Sequence, residues 1–138
     1  MNKSDLINIA KEASKSAHSP YSGFCVGAAL LAKCNEVFTG CNVENASFSV
    51  TCCGERVALF KAVSENVTHF TEIAIVGGNN EVFTSPCYPC GVCLQALSEF
   101  CSPDFKIHLL DGDNIITYTL KELMPHNFDL YKEGNKNA

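Results

Sequence analysis

The chain has 138 residues, 46% of them apolar and 18% charged, the size and composition of one globular domain able to bury a core without disulfide staples. Ten Lys and Arg against fifteen Asp and Glu leave a net charge of −5. That balance excludes the basic stripe through which proteins grip nucleic-acid phosphates.

Leu6, Ile9, Ala10, Ala13 and Ala17 recur at helical spacing and predict a helix over 3–18, stopped by Ser19-Pro20-Tyr21-Ser22-Gly23. This opening segment is polar and amphipathic and lacks the apolar stretch of a signal peptide. Residues 24–32 and 36–42 read as strands, and the tight Lys33-Cys34-Asn35 connection predicts an antiparallel hairpin. The longest apolar run, 25–32, is far too short to cross a membrane. The expectation is a cytoplasmic protein with no membrane partner.

Residues 42–49 are polar and loop-like. A second helix is expected over 51–64, apolar on most sides and therefore buried. Residues 73–76 form a short strand closed by Gly77-Gly78. A third helix is expected over 90–100, with Pro89 at its entry. Residues 105–110 and 115–118 read as strands joined by Asp111-Gly112-Asp113-Asn114, and 119–123 as a short helical turn. The tail beyond about residue 128 is expected to fray. No repeat and no linker divides the chain, so 1–138 reads as a single α/β domain with helices packed on a five-stranded sheet.

Nine cysteines, an odd number, in a compartment that keeps thiols reduced point to metal or redox chemistry rather than bridges. They concentrate in Cys52-Cys53-Gly54-Glu55-Arg56 and in Pro86-Cys87-Tyr88-Pro89-Cys90-Gly91-Val92-Cys93, each where a loop enters a helix. A helix N-terminus favours thiolates, and Cys90 and Cys93 share one face of a first turn. Two helix starts facing each other can present Cys53, Cys90 and Cys93 to one Zn²⁺, leaving the fourth tetrahedral position for water. Glu55 suits the proton shuttle that such a site needs, base first and acid later.

Arg56, three residues after Cys53 on the same helical face, is the expected partner of the sulfurs. Three thiolates around Zn²⁺ carry a net charge of −1, and a guanidinium can donate to more than one of them. The cysteine run has two frames, since Cys87/Cys90 and Cys90/Cys93 both follow a proline; Gly91, Gln95 and the helical pattern favour the second. A Cys-x-x-Cys redox protein and a closed structural zinc module are the competing readings. The four His residues fall outside any Cys-x-Glu slot and read as surface or core.

Cys-x-Glu joined to Pro-Cys-x-x-Cys resembles the His/Cys-x-Glu and Pro-Cys-x-x-Cys signature of zinc deaminases that act on cytosine or adenine. Over nearly its full length the chain resembles the small homotetrameric zinc-dependent cytidine deaminases. The resemblance runs through Pro20-Tyr21-Ser22 to Phe24, Val26-Gly27-Ala28-Ala29-Leu30, Gly40-Cys41-Asn42-Val43-Glu44-Asn45-Ala46, Cys53-Gly54-Glu55-Arg56 and Pro89-Cys90-Gly91-Val92-Cys93-Leu94-Gln95. It implies a three-layer fold with a mixed five-stranded sheet and helices on both faces. It implies hydrolytic deamination of free cytidine and 2′-deoxycytidine, with a nucleoside as the partner and a homotetramer as the assembly.

The resemblance also implies that Asn42 and Glu44 bind the ribose hydroxyls, that Phe24 packs against the nucleoside, and that Glu55 reads the cytosine edge. The Gly54 backbone would contact the base, and Ala46, Phe48 and Phe128 would complete a neighbour's pocket. Three positions depart from many relatives: Gly54 stands for Ala, Leu94 for Arg, and Phe48 lacks an aromatic hydroxyl. Deamination of another aminopyrimidine nucleoside, of antibiotic type, is the second enzymatic reading.

Overall fold

The computed structural model describes residues 1–130; the end of the tail, 131–138, lies outside the described residues, and with it most of the segment expected to fray. The chain runs α1 (Lys3–Ser14), β1 (Cys25–Ala32), β2 (Val37–Cys41), a 3₁₀ turn (Phe48–Val50), α2 (Gly54–Ser64), β3 (Phe70–Gly78), α3 (Gly91–Phe100), β4 (Lys106–Asp111), β5 (Asn114–Thr119) and α4 (Leu120–Leu123). The five strands form one sheet in the order β2-β1-β3-β4-β5. All neighbours are antiparallel except β3 and β4, which α3 connects as a parallel pair.

Alternation along β1 sorts its side chains onto two faces. Val26, Ala28, Leu30 and Ala32 enter the core shared with Ala58, Leu59, Ala62, Leu94 and Leu97 of α2 and α3. Ala29 and Leu31 enter the other, with Leu6, Ile7 and Ala10 of α1. A strand buried on both faces has to be apolar throughout, which is why 25–32 carries the longest apolar run. Helices therefore cover both faces of the sheet, in three layers. Among the described residues no helix is long and apolar enough to cross a membrane.

Two helices are shorter than their periodicity suggests, and one ladder explains both. Residues 15–17 make only i→i−3 turns after α1. His18 then leaves the helix to bridge Val43, donating to Asn42 O at 3.0 Å and accepting from Glu44 N at 2.8 Å. Val43 also pairs with Cys52, at 2.9 and 3.0 Å, which holds residue 52 extended and delays α2 until Gly54. The segment expected as plain loop is thus pinned between two neighbours. His108 belongs to the sheet: its ring nitrogens meet Thr117 Oγ1 and a Glu72 carboxyl oxygen, each at 2.8 Å, in a buried position.

Candidate metal centre and catalytic site

Cys53 and Cys90 are the N-cap residues of α2 and α3, both in extended conformation. Cys93 is fully buried in the first turn of α3. The close seating of α2 requires Gly40, because a Cβ there would lie 2.2 Å from Gly54 O and 2.5 Å from Ala58 N. With the helix starts side by side, the sulfurs of Cys53, Cys90 and Cys93 all lie within 4.8 Å of one another. Cys53 Sγ and Cys90 Sγ are 3.8 Å apart. Tetrahedral coordination with Zn–S bonds of about 2.3 Å puts sulfurs about 3.8 Å apart, so the donor set and its spacing fit zinc.

The neighbouring thiols are of another kind. Burial raises the Cys52 thiol, and its backbone is committed to Val43. Cys87 packs against the core, and burial, with smaller contributions from the charges of Glu55 and Cys53, pushes its thiol up to about 12. Cys53 is held down to about 5, first by a hydrogen bond from the Cys93 thiol and then by Arg56 and Cys90, against the effect of burial. Cys93 moves in the opposite direction, held up by that same bond and by burial. Between Cys53 and Cys93 the shared hydrogen bond favours the thiolate on Cys53 and the thiol on Cys93, and a metal ion would take both as thiolates.

Arg56 Nε donates to Cys93 Sγ and Nη2 to Cys53 Sγ, each at 3.4 Å. The guanidinium thus spans the two helices. Glu55 lies one residue away at the start of α2 and is 3% exposed. Its Oε1 is buried and has no hydrogen-bond partner among the described residues. An unpaired buried carboxyl oxygen is costly and points to a group the site is built to receive. Burial above all pushes the Glu55 carboxyl up to about 7, with the Cys53 charge adding to it and its own backbone N–H opposing.

Asn42 and Glu44 are both 8% exposed and brace the chain before β1. Asn42 Oδ1 accepts from Val26 N and Nδ2 donates to Phe24 O, both at 2.9 Å. Glu44 Oε1 accepts from the backbone N–H of Tyr21 and of Ser22 at 3.1 Å, and the Ser22 hydroxyl donates to Oε2. One amide hydrogen of Asn42 and part of the Glu44 carboxylate stay open to a ligand. Gly54 is buried as the first residue of α2. Phe24 is 37% exposed at the entry to β1, and Ala46, Phe48 and Phe128 also lie on the surface.

Two supports were not visible from residue spacing. Ser22 and Tyr21 fix Glu44 from more than twenty positions away, and the only local trace is a Pro-Tyr-Ser-Gly turn. Gln95 clamps Phe128 at both backbone groups, donating to its O at 2.8 Å and accepting from its N at 3.1 Å. Nothing in the sequence near either residue signals that pairing.

The family model described as "Cytidine and deoxycytidylate deaminase zinc-binding region" matches residues 1–109, which include all three cysteines, Glu55 and Arg56. The chain belongs to this deaminase family. Among its relatives, the cytidine deaminase of Sporosarcina psychrophila is 42% identical over 130 residues, covering 93% of this chain and 92% of that one. The cytidine deaminase of Halalkalibacterium halodurans is 45% identical over 130 residues, covering 93% and 95%. The crystal structure of a cytidine deaminase from Burkholderia pseudomallei superimposes with a TM-score of 0.85 at 38% identity, covering 93% of this chain and all of that one. The three-layer deaminase architecture expected from the resemblance is the one found, and the zinc expected for the family has its ligand set in Cys53, Cys90 and Cys93.

Proposed function

We propose that the protein hydrolyses cytidine and 2′-deoxycytidine to uridine and 2′-deoxyuridine with release of ammonia, as one domain over 1–138. The observation that carries this reading is the unpartnered, buried Oε1 of Glu55 at the start of α2, next to three sulfurs spaced for zinc. A closed structural zinc module has no use for such an oxygen. Zinc held by Cys53, Cys90 and Cys93 supplies the Lewis acidity that makes water nucleophilic near neutral pH.

Glu55 does the proton work. Its carboxylate takes a proton from the attacking water and delivers it to the ring nitrogen beside C4. It then takes the second proton from the new C4 hydroxyl and delivers it to the amine, which leaves as ammonia while the C4 carbonyl forms. Burial holds the carboxyl above its ordinary range, which makes Glu55 a better proton acceptor toward the attacking water than an exposed carboxylate. Glu55 also hydrogen-bonds the cytosine edge, and the Gly54 backbone contacts the base. Arg56 offsets part of the thiolate charge through Cys53 and Cys93.

Asn42 and Glu44 receive the ribose hydroxyls on their remaining capacity, and Phe24 packs against the nucleoside. Ala46, Phe48 and Phe128 complete the pocket of a neighbouring copy in a homotetramer; exposure of 67% and 68% for the two rings supports a role outside this chain's own core. The substrate is a neutral nucleoside: Arg56 is the one arginine of the sequence and is committed to sulfur, leaving none to clamp a phosphate. Nine cysteines without a disulfide among the described residues agree with work in the cytoplasm.

The test is conversion of cytidine to uridine measured with zinc content on the same sample. The expected result is one zinc per chain, loss of turnover with a chelator, and poor turnover of cytidine monophosphate and single-stranded DNA. Full zinc with no conversion of cytidine overturns the reading in favour of a structural zinc module. Equal efficiency on the monophosphate overturns the neutral-substrate part alone.

A further inference from the structure

Gly77 lies on β3 opposite Val26 of β1. Val26 points into the core on the α2 and α3 face, and directly paired residues share a face of the sheet. A side chain at 77 would therefore project to the face on which the cysteine-bearing helix starts lie. That space is already taken. A Cβ on Gly77 would lie 2.7 Å from Phe24 Cε2, 2.8 Å from Phe24 Cζ and 2.8 Å from Cys87 Sγ. All three fall well inside the ordinary carbon contact distance of about 3.5–4.0 Å.

Gly77 does not have a positive φ, so the backbone would accept any residue and the space alone calls for glycine. The far edge of the Phe24 ring rests on bare β3 backbone with the Cys87 thiol as its side wall. Cys87 is partly buried, packed against the core beside the ring. A cavity of about 470 Å³ adjoins the ring, lined by Phe24, Gly77, Gly78, Thr84, Ser85 and Pro86 among others.

We propose that Gly77 is a positioning residue for substrate binding: by lacking a side chain it seats the Phe24 ring against the sheet and sets the width of the nucleoside site beside that ring. This rests on the reading of Phe24 as a nucleoside contact. A methyl at 77 overpacks the seat and lifts the ring off β3, toward the helix starts. Glu55 and the three sulfurs are carried by α2 and α3 and their N-caps, not by β3, so binding suffers while the chemical step and the metal are kept.

The experiment compares Gly77→Ala, Phe24→Ala, the pair combined, Cys87→Ala, and Gly77→Ala with Cys87→Ala, each in the zinc-loaded full chain, by cytidine kinetics and zinc content. Gly77→Ala is expected to raise KM about tenfold, the equivalent of about 1.4 kcal/mol of binding, with kcat and zinc little changed. In the Phe24→Ala background the same substitution adds nothing, because the ring it displaces is gone. Removing the Cys87 sulfur relieves one of the three close contacts and opens space into which the ring can slide along the sheet, so KM falls part of the way back toward the Cys87→Ala value. That last pair also keeps the proposal open to test if Gly77→Ala alone misfolds. An equal rise in KM with and without Phe24, or no rise in the single variant, overturns the role of Gly77. An unchanged KM in Phe24→Ala overturns the parent reading of Phe24 instead.

Discussion

Arg56 and Cys93 sit on different helices, and the guanidinium Nε donates to the Cys93 sulfur at 3.4 Å while Nη2 of the same group reaches Cys53 at the same distance. One planar cation therefore serves two of the three candidate ligands. Contact with the two sulfurs raises the pKa of Arg56 further above its already high ordinary value, so the charge is permanent. In an all-cysteine site the excess negative charge opposes deprotonation of water, and this contact lowers that excess.

Arg56→Ala is expected to weaken zinc binding by about 10- to 100-fold, the range typical of groups that support metal ligands. The pH needed for full activity should also move upward. Arg56→Lys should recover only part of the loss, because a single ammonium cannot match a fork aimed at two sulfurs. A competitive chelator titration and a pH–rate profile on the same preparations measure both effects. Wild-type affinity and an unshifted profile in Arg56→Ala would remove the residue from the site's electrostatics.

Cys87→Ser should retain about one zinc per chain and near-normal turnover, while Cys93→Ser loses metal and activity together. The basis is the spacing of the Cys53, Cys90 and Cys93 sulfurs within 4.8 Å, against a Cys87 thiol buried and raised to about 12. Metal analysis of the two purified variants decides it. The opposite result, with metal lost at 87 and kept at 93, would show that the ligand frame is displaced by one turn.

Glu55→Gln should fold, hold zinc and lose turnover by about 10²–10⁴-fold or more, the contribution of a positioned general acid–base. The amide matches the carboxylate in size but cannot carry a proton between water, ring and leaving amine. Single-turnover rates with cytidine, set beside zinc content, check this. Turnover within tenfold of wild type would exclude Glu55 as the shuttle.

Ser22→Ala should make the protein more sensitive to acid. The Ser22 hydroxyl is the largest cause holding the Glu44 carboxyl below its ordinary 4.5, with burial opposing and the Ser22 and Tyr21 backbone N–H groups assisting. A carboxyl depressed in the folded state contributes stability that is present above the unfolded pKa and is lost as pH falls through the folded one. Removing the hydroxyl raises the folded value, so the contribution shrinks and acid unfolding begins at a higher pH. Far-UV circular dichroism across pH 2–6 reads the midpoint; coincident curves for variant and wild type would detach Glu44 from acid stability.

Much of the candidate site was legible because its signals are local. Pro-Cys-x-x-Cys at a helix entry, Cys-x-Glu at another, and Arg56 one turn beyond Cys53 need only helix geometry to be brought to one side. Strand order of apolar residues and the turn chemistry of 33–35 and 111–114 likewise located the hairpins, since backbone propensities act over a few residues. What the linear order left open concerns contacts between distant segments. Both cysteine frames obey the same local rule, and the meeting of α2 and α3 brings Cys53 together with Cys90 and Cys93, leaving Cys87 apart from them against the core. Helix ends moved because His18, Val43 and Cys52 commit their backbone to one bridge ladder, a pairing that exists only after the chain folds back. The seat of Phe24 on Gly77 is steric exclusion between β1 and β3, and excluded volume has no counterpart in a sequence until the strands are paired.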